Sequence, residues 1–118
     1  MTDKTPLEVL KDIRETLSDP EHWRQGDYQG HRIGGVTFDL CHAAVQGRAP
    51  NCWCILGAML KSTYVRGLVV EKKLEQAVNH FHPRFNSVAA FNDEPGRTHE
   101  EVLQVIDYAI QREQEQAQ

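Results

Sequence analysis

The sequence predicts an all-α or α-dominated fold of about four helices, with one small β-hairpin near residues 33–38. Apolar residues recur at helical spacing in four stretches, and recognisable helix-start signals precede the first and the last of them. The chain has 118 residues, of which 40% are hydrophobic and 25% charged, as in an ordinary globular domain. We therefore predict a single domain over residues 1–118, with a frayed polar tail at 111–118.

The first and last helices have the clearest start signals. Thr5 is a suitable N-cap before Pro6, and the helix that follows ends near Ser18. Thr98 and Glu101 form the pattern of a capping box, in which each side chain bonds the other residue's backbone N–H. The last helix is therefore predicted over residues 99–113.

Two further helices are predicted in the middle of the chain. The second begins at Asn51, which follows a proline, and ends near Gly67. The third covers Val70 to Phe81, because Pro83 disfavours helical geometry in the residue before it. We expect the second and last helices to pack against each other as the core.

The hairpin prediction depends on two adjacent glycines. Gly34 and Gly35 can form a two-residue turn between short strands. Val36 and Phe38 alternate with polar residues, as in a strand with one buried face.

Charge, hydropathy and cysteine content narrow the functional classes. The net charge is −4 and no Lys/Arg run occurs, so we expect no nucleic-acid partner. No stretch approaches the roughly 18 apolar residues of a membrane span, and the first ten residues contain no secretory apolar region. The cysteine count of three is odd, which favours a reducing cytoplasm over a disulfide framework.

Cys54 is the first candidate for chemistry. If Asn51 is an N-cap, Cys52 and Cys54 lie in the first helical turn, where the helix dipole lowers the pKa of a thiol. A nucleophilic cysteine also needs a base. That base would be His80 or His82, with Asn92 or Asp93 to orient it. The alternative, favoured by the burial tendency of free cysteine, is that Cys54 and Trp53 are core residues.

A metal site is the second candidate. The available ligand types are those of zinc sites, namely Cys41, His42, Cys52, Cys54, His80 and His82. Their pairs are spaced more closely than zinc sites require, so we predict neither a metal nor another cofactor.

The polar stretch 92–98 is the third candidate. Arg97 lies beside the start of the last helix, where it could help to attract an anion. Asn92, Asp93 and Gly96 are equally typical of a turn, with Gly96 supplying a positive φ, and the turn is the favoured interpretation.

Residues 57–63 end like a phosphate-binding loop. The second glycine of that motif is missing, and the stretch lies within a predicted helix. Gly57 is better explained as a point at which another element approaches closely.

Three motifs together resemble a known family. They are Trp23-Arg24-Gln25-Gly26; then Trp53, Cys54, Leu56, Gly57 and Ala58; then Asn92, Asp93, Arg97, Thr98, Glu100, Glu101 and Val102. They resemble a family of short, uncharacterised proteins of phages and their bacterial hosts, although Phe91 stands where that family has tryptophan. The resemblance implies a shared fold without a known activity. It emphasises Cys54, Asn92 and Asp93 over the histidines.

No complete catalytic or cofactor motif is present, so the leading interpretation is a non-enzymatic protein-binding or accessory module. It would act on another protein, as a phage-encoded modulator of a host protein would, through Trp23, Trp53 and Arg97. The alternative is a cysteine-dependent hydrolase or transferase centred on Cys54. Its site would comprise Cys54, Asn92, Asp93 and His80.

Overall fold

The computed structural model describes residues 4–39, 49–63 and 68–116, and it confirms a helix-dominated fold with a small sheet. Within these residues, four α-helices have nine or more residues and a fifth has six. The elements are α1 (Pro6–Thr16), a 3-10 turn (Pro20–His22), β1 (Gln29–Ile33), β2 (Val36–Asp39), β3 (Cys52–Trp53), α2 (Ile55–Thr63), α3 (Leu68–Phe81), α4 (Val88–Asp93) and α5 (His99–Gln116). None of the helices in this part of the chain is long and apolar enough to cross a membrane.

The predicted caps of α1 and α5 are confirmed. The Thr5 hydroxyl accepts from the Glu8 N–H at 3.1 Å, and the Glu8 carboxylate accepts from the Thr5 N–H at 3.0 Å. The Thr98 hydroxyl likewise accepts from the Glu101 N–H at 3.1 Å, and Glu101 returns the bond at 2.9 Å. Helix α5 runs past residue 113 to Gln116, into the segment for which a frayed tail was predicted.

The hairpin is also confirmed. β1 and β2 are antiparallel, with Ile33 opposite Val36, and Gly34 takes the positive φ of 61° that the turn requires. β3 pairs antiparallel with the other edge of β1, so the strand order is β2-β1-β3.

The prediction that Asn51 begins the second helix is wrong. Its side chain continues the sheet instead, accepting from the Arg32 N–H at 2.7 Å and donating to the Arg32 carbonyl at 3.1 Å. Cys52 and Trp53 therefore lie in β3, and α2 begins only at Ile55. The predicted end of that helix, near Gly67, falls outside the described residues.

Two other boundaries differ from prediction. Helix α3 begins at Leu68, two residues early, and ends at Phe81 as predicted. Helix α4 was not predicted, and it makes Asn92 and Asp93 the end of a helix, where a turn was expected. The turn lies just beyond, where Gly96 has a φ of 84°.

Helix α1 lies at the centre of the helical packing. It packs against α2 and α5, and α5 packs in turn against α3. The predicted direct pairing of the second and last helices is wrong, because α1 is the main partner of each of them. Leu10, Ile13 and Leu17 are fully buried at these contacts, and the His99 ring donates to the Leu17 carbonyl at 2.6 Å.

Candidate functional site

The Asn92 side chain is the centre of a buried network at the end of α4. Only 1% of this residue is exposed. Its Oδ1 accepts from the Trp23 indole at 2.8 Å and from the Ile55 N–H at 3.2 Å. Its Nδ2 donates to the Arg24 carbonyl at 3.1 Å and to Asp93 Oδ1 at 2.9 Å. Both lone pairs and both protons of the amide are therefore used.

The network attaches the loop 23–28 to the end of α4. The Gln25 amide donates to the carbonyls of Asn92 at 2.9 Å and Glu94 at 2.8 Å. The Gly26 N–H donates to the Asp93 carboxylate at 2.9 Å. These bonds hold a segment without regular structure in one position relative to α4.

The same loop is attached to β3 and α2 on its other side. The Arg24 N–H donates to the Trp53 carbonyl at 2.9 Å, and the Cys54 N–H donates to the Tyr28 carbonyl at 3.2 Å. Gly57 makes this approach possible, because a Cβ there would lie 2.6 Å from the Tyr28 carbonyl carbon. The predicted role of Gly57 as a point of close approach is confirmed.

Cys54 is a buried cap of α2. Its sulfur accepts from the Gly57 N–H at 3.2 Å, its carbonyl accepts from the Ala58 N–H, and the residue is only 8% exposed. Burial raises the pKa of the Cys54 thiol, and the Asp93 carboxylate raises it further, while the Gly57 N–H opposes both. The lowering of the thiol pKa that the conditional helix N-terminus interpretation implied is therefore outweighed, because desolvation has a larger effect than the backbone N–H groups.

Cys54, Asn92 and Asp93 meet around one cavity of about 230 Å³, which we call the acidic pocket. Its described lining residues are Gly26, Asp27, Tyr28, Cys54, Leu56, Ala89, Asn92 and Asp93. The walls combine apolar groups with the carboxylates of Asp27 and Asp93. None of these lining residues is a histidine.

The two histidines considered as bases lie elsewhere. His80 is stacked on Tyr108, with ring centroids 4.2 Å apart, in the groove between α3 and α5. His82 packs against Phe91, with ring centroids 5.0 Å apart, and its buried Nε2 has no hydrogen-bond partner among the described residues. The structure thus brings Cys54 together with Asn92 and Asp93 but not with His80.

The suggested metal ligands are not assembled by the part of the chain that the structure describes. No group of three His, Cys, Asp or Glu side chains there is placed to hold an ion. Cys41 and His42 lie outside the described residues, so the predicted lack of metal stays a prediction.

The Arg97 side chain is buried and connects α4 to α5. Only 6% of its side chain is exposed. Its guanidinium lies 4.0 Å from the Phe91 ring centre, donates to the Phe91 carbonyl at 2.9 Å and pairs with Glu101 at 3.2 Å. The side chain is thus engaged within the fold, whereas the predicted binding role would need an exposed charge.

Of the other two predicted binding residues, Trp23 uses its indole N–H within the Asn92 network. Trp53 lines an open groove of about 640 Å³ that we call the aromatic groove. Its described lining residues are Tyr28, Gln29, Pro50, Trp53, Gly57, Leu60 and Lys61. Tyr28 is 47% exposed, and the Lys61 ammonium lies 5.3 Å from the Trp53 ring centre. Tyr28 and Leu60 were not predicted as site residues, because Tyr28 lies in an irregular stretch and Leu60 has ordinary helical spacing.

Fold and site together define a small helix-dominated domain with an aromatic groove beside an acidic pocket. The chain belongs to a family of unknown function, DUF6197, whose model matches residues 1–112. Comparison with curated proteins and with solved structures gave no match. Family membership supports the predicted kinship with uncharacterised proteins, while the three motifs and a phage or bacterial origin stay predictions.

Proposed function

We propose that this protein is a non-enzymatic binding module that holds an extended, proline-rich segment of another protein in the aromatic groove. The observation that carries the proposal is the placement of Tyr28, 47% exposed, beside half-buried Trp53 and Pro50 in one open groove. Aromatic side chains supply much contact area at a low entropic cost, which is why they are frequent in binding surfaces.

The groove is held in shape before any ligand arrives. Trp53 lies in β3, which pairs with β1, and its carbonyl accepts from the Arg24 N–H at 2.9 Å. The Tyr28 backbone is held in place, because its carbonyl accepts from the Cys54 N–H and lies against Gly57. A preformed surface loses little conformational entropy on binding, which favours affinity.

The lining chemistry fits a polyproline II segment. Such a segment makes no internal backbone hydrogen bonds, so its carbonyl oxygens need donors, and its proline rings pack on aromatic faces. The groove is lined by the aromatic residues Tyr28 and Trp53, and three of its lining residues, Tyr28, Gln29 and Lys61, carry side-chain hydrogen-bond donors. Its described lining residues include no carboxylate that would repel these carbonyls.

The geometry favours this function over a cysteine-dependent hydrolase or transferase. A nucleophilic cysteine needs an accessible thiolate and a nearby base. The Cys54 thiol is buried and its pKa is raised, and His80 lies in another groove.

Two finer points belong to the same proposal. Cytoplasmic function is supported by Cys54, which is a buried free thiol. A role as a phage-encoded modulator of a host protein is supported by the motif resemblance.

The test is a nuclear magnetic resonance titration of the ¹⁵N-labelled full chain with a peptide of ten prolines. We expect shifts at the Trp53 indole and the Lys61 amide, but not at the Trp23 indole, which is bonded to Asn92. A glycine-serine peptide of equal length is the control ligand. No shift at the groove with the proline peptide, or the same shifts with both peptides, would overturn the proposal.

Two variants make the test specific. Tyr28→Ala removes an exposed groove residue and should weaken binding about tenfold without changing the melting temperature. Val69→Ala removes an apolar side chain that is 60% exposed on α3, outside the groove, and should leave binding unchanged. Equal effects of the two substitutions would contradict the assignment of the groove.

A further inference from the structure

The acidic pocket adjoins the aromatic groove. Tyr28 lines both of them, and the neighbouring residues Leu56 and Gly57 line one each. An extended segment that lies in the groove and crosses Tyr28 therefore reaches the mouth of the pocket. The pocket is about a third of the size of the groove, with 230 Å³ against 640 Å³, which suits one side chain better than a stretch of backbone.

We infer that the acidic pocket receives an arginine or lysine side chain of the bound segment, so that the ligand is a proline-rich segment with an adjacent basic residue. This inference rests on the proposed function. Leu56 and Ala89 offer apolar walls for the methylene stem of such a side chain. The carboxylates of Asp27 and Asp93 offer acceptors for its charged head.

Both carboxylates are oriented by the fold. Asp93 Oδ1 accepts from the Gly26 N–H and from the Asn92 amide, each at 2.9 Å. Asp27 Oδ1 accepts from the Tyr28 N–H at 2.7 Å. A basic ligand group therefore meets fixed negative charges, which reduces the reorganisation that binding requires.

Among the described residues, the cationic side chain whose charge acts on Cys54 in the pocket wall is Arg24. The Arg24 guanidinium donates to the carbonyls of Gln25 and Gln29. At the Cys54 thiol, the Asp93 carboxylate raises the pKa and Arg24 lowers it, and the effect of the carboxylate is the larger of the two. The net charge of −4 adds in the same direction.

An organic cation fits the pocket better than a metal ion. Two carboxylates and one thiol that is protonated at neutral pH line it, and no metal-holding group of three ligands was found among the described residues. The apolar walls match a methylene chain, which a metal ion does not have.

The test compares peptides of ten prolines extended at either end by arginine or by norleucine, which has a similar apolar stem without the charge. Calorimetric titration of the full chain should give about tenfold tighter binding for one arginine peptide than for its norleucine counterpart. The difference should shrink as ionic strength rises.

Two matched variants test whether the advantage of arginine depends on the acidic pocket. Asp27→Asn removes an exposed carboxylate of the pocket and should remove a large part of the advantage of arginine, while leaving norleucine-peptide binding and the melting temperature unchanged. Glu15→Gln removes an exposed charge on α1, outside the pocket, and should preserve the advantage.

The outcomes separate the two proposals. If the proline peptides bind but arginine adds nothing, or its advantage is unchanged in Asp27→Asn, the inference is wrong and the binding module stands. If no peptide binds, both proposals are wrong. If N-acetyl-arginine amide alone binds the pocket as tightly as the arginine peptide, the pocket serves a free small cation and the inference is overturned.

Discussion

At the scale of single residues, Asn92 is a buried amide, and its contribution to the stability of the fold depends on its four hydrogen-bond partners. Asn92→Ala would leave the Trp23 indole N–H and the Ile55 N–H without their acceptor. Each buried donor left unpaired costs about 1–3 kcal/mol, so for two donors we expect a loss of about 2–6 kcal/mol in the free energy of unfolding. Urea denaturation would measure this loss.

The matched control for this prediction is Asn86→Ala, which truncates an exposed asparagine just before α4. A surface substitution of this kind should change stability by less than about 0.5 kcal/mol. If the two substitutions changed the free energy of unfolding equally, the hydrogen-bond network around Asn92 would not contribute to stability.

Cys54 leads to a prediction about reactivity. Because its thiol is buried and its pKa is raised, it should react with iodoacetamide much more slowly than free cysteine at pH 7.5. Mass spectrometry of the digested protein would follow Cys54 separately from the other two cysteines. Fast, selective labelling of Cys54 in the folded chain would instead favour the cysteine-enzyme alternative.

The same thiol makes stability depend on pH. Its pKa in the folded chain lies above the ordinary value of 9.0, so the folded state holds this proton more tightly than the unfolded state. The resulting stabilisation is complete below pH 9 and is lost as the pH rises through the folded-state pKa. Cys54→Ala should be less stable than the parent chain at pH 7 and should lack this part of the alkaline decline.

At the scale of elements, the cap of α5 is a local device with a predictable energy. Thr98→Ala removes the acceptor of the Glu101 N–H and should cost about 1 kcal/mol. Thr98→Ser keeps the hydroxyl and should recover most of this loss. Chemical denaturation would compare the three chains, and an unchanged midpoint and slope in Thr98→Ala would mean that the cap does not stabilise the protein.

Gly57 joins two elements, because it lets the Tyr28 carbonyl lie against α2. In Gly57→Ala, the added methyl group would overlap the Tyr28 carbonyl group. Such overpacking costs about 1–3 kcal/mol in stability or displaces the loop. Gly35→Ala is the control, since a Cβ there meets nothing within 4 Å. Thermal melts should show a clearly lower melting temperature for Gly57→Ala and little change for Gly35→Ala. Similar melting temperatures would show that the loop can move aside without a loss of stability.

Local signals made some elements predictable from sequence. Capping boxes mark the starts of α1 and α5, and two glycines mark the hairpin turn, because each signal acts within four residues. The start of α2 was mispredicted because β3 exists only through pairing with β1, more than 20 residues away. Helix α4 is too short for periodicity, although Ser87 as its N-cap was a usable signal.

The candidate site was predictable only in part. The motif resemblance emphasised Cys54, Asn92 and Asp93, which do meet at one pocket. That Trp23 bonds Asn92 across 69 residues of chain is a product of tertiary packing, which no local pattern encodes. His80 has the right chemistry for a base, but α3 places it against Tyr108.

At the scale of the whole molecule, the site and the helical core are connected too closely to unfold separately. Helix α1 packs against α2, α3 and α5, while the Asn92 network connects the loop 23–28 to α4 and to the start of α2. Breaking either set of contacts exposes apolar residues of the same core cluster. We therefore expect one cooperative transition for the single domain predicted over residues 1–118.

Two probes can test this cooperativity, because they report on different parts of the fold. Fluorescence follows Trp23 and Trp53 beside the site, whereas far-ultraviolet circular dichroism follows mainly the helices. Their urea midpoints and slopes should coincide in the parent chain, and Asn92→Ala should shift both curves by the same amount. A fluorescence change that preceded the loss of helix would mean that the loop, the groove and the acidic pocket open while the helices remain folded. In that case ligand binding would have to stabilise the site, and the low entropic cost assumed for the aromatic groove would no longer hold.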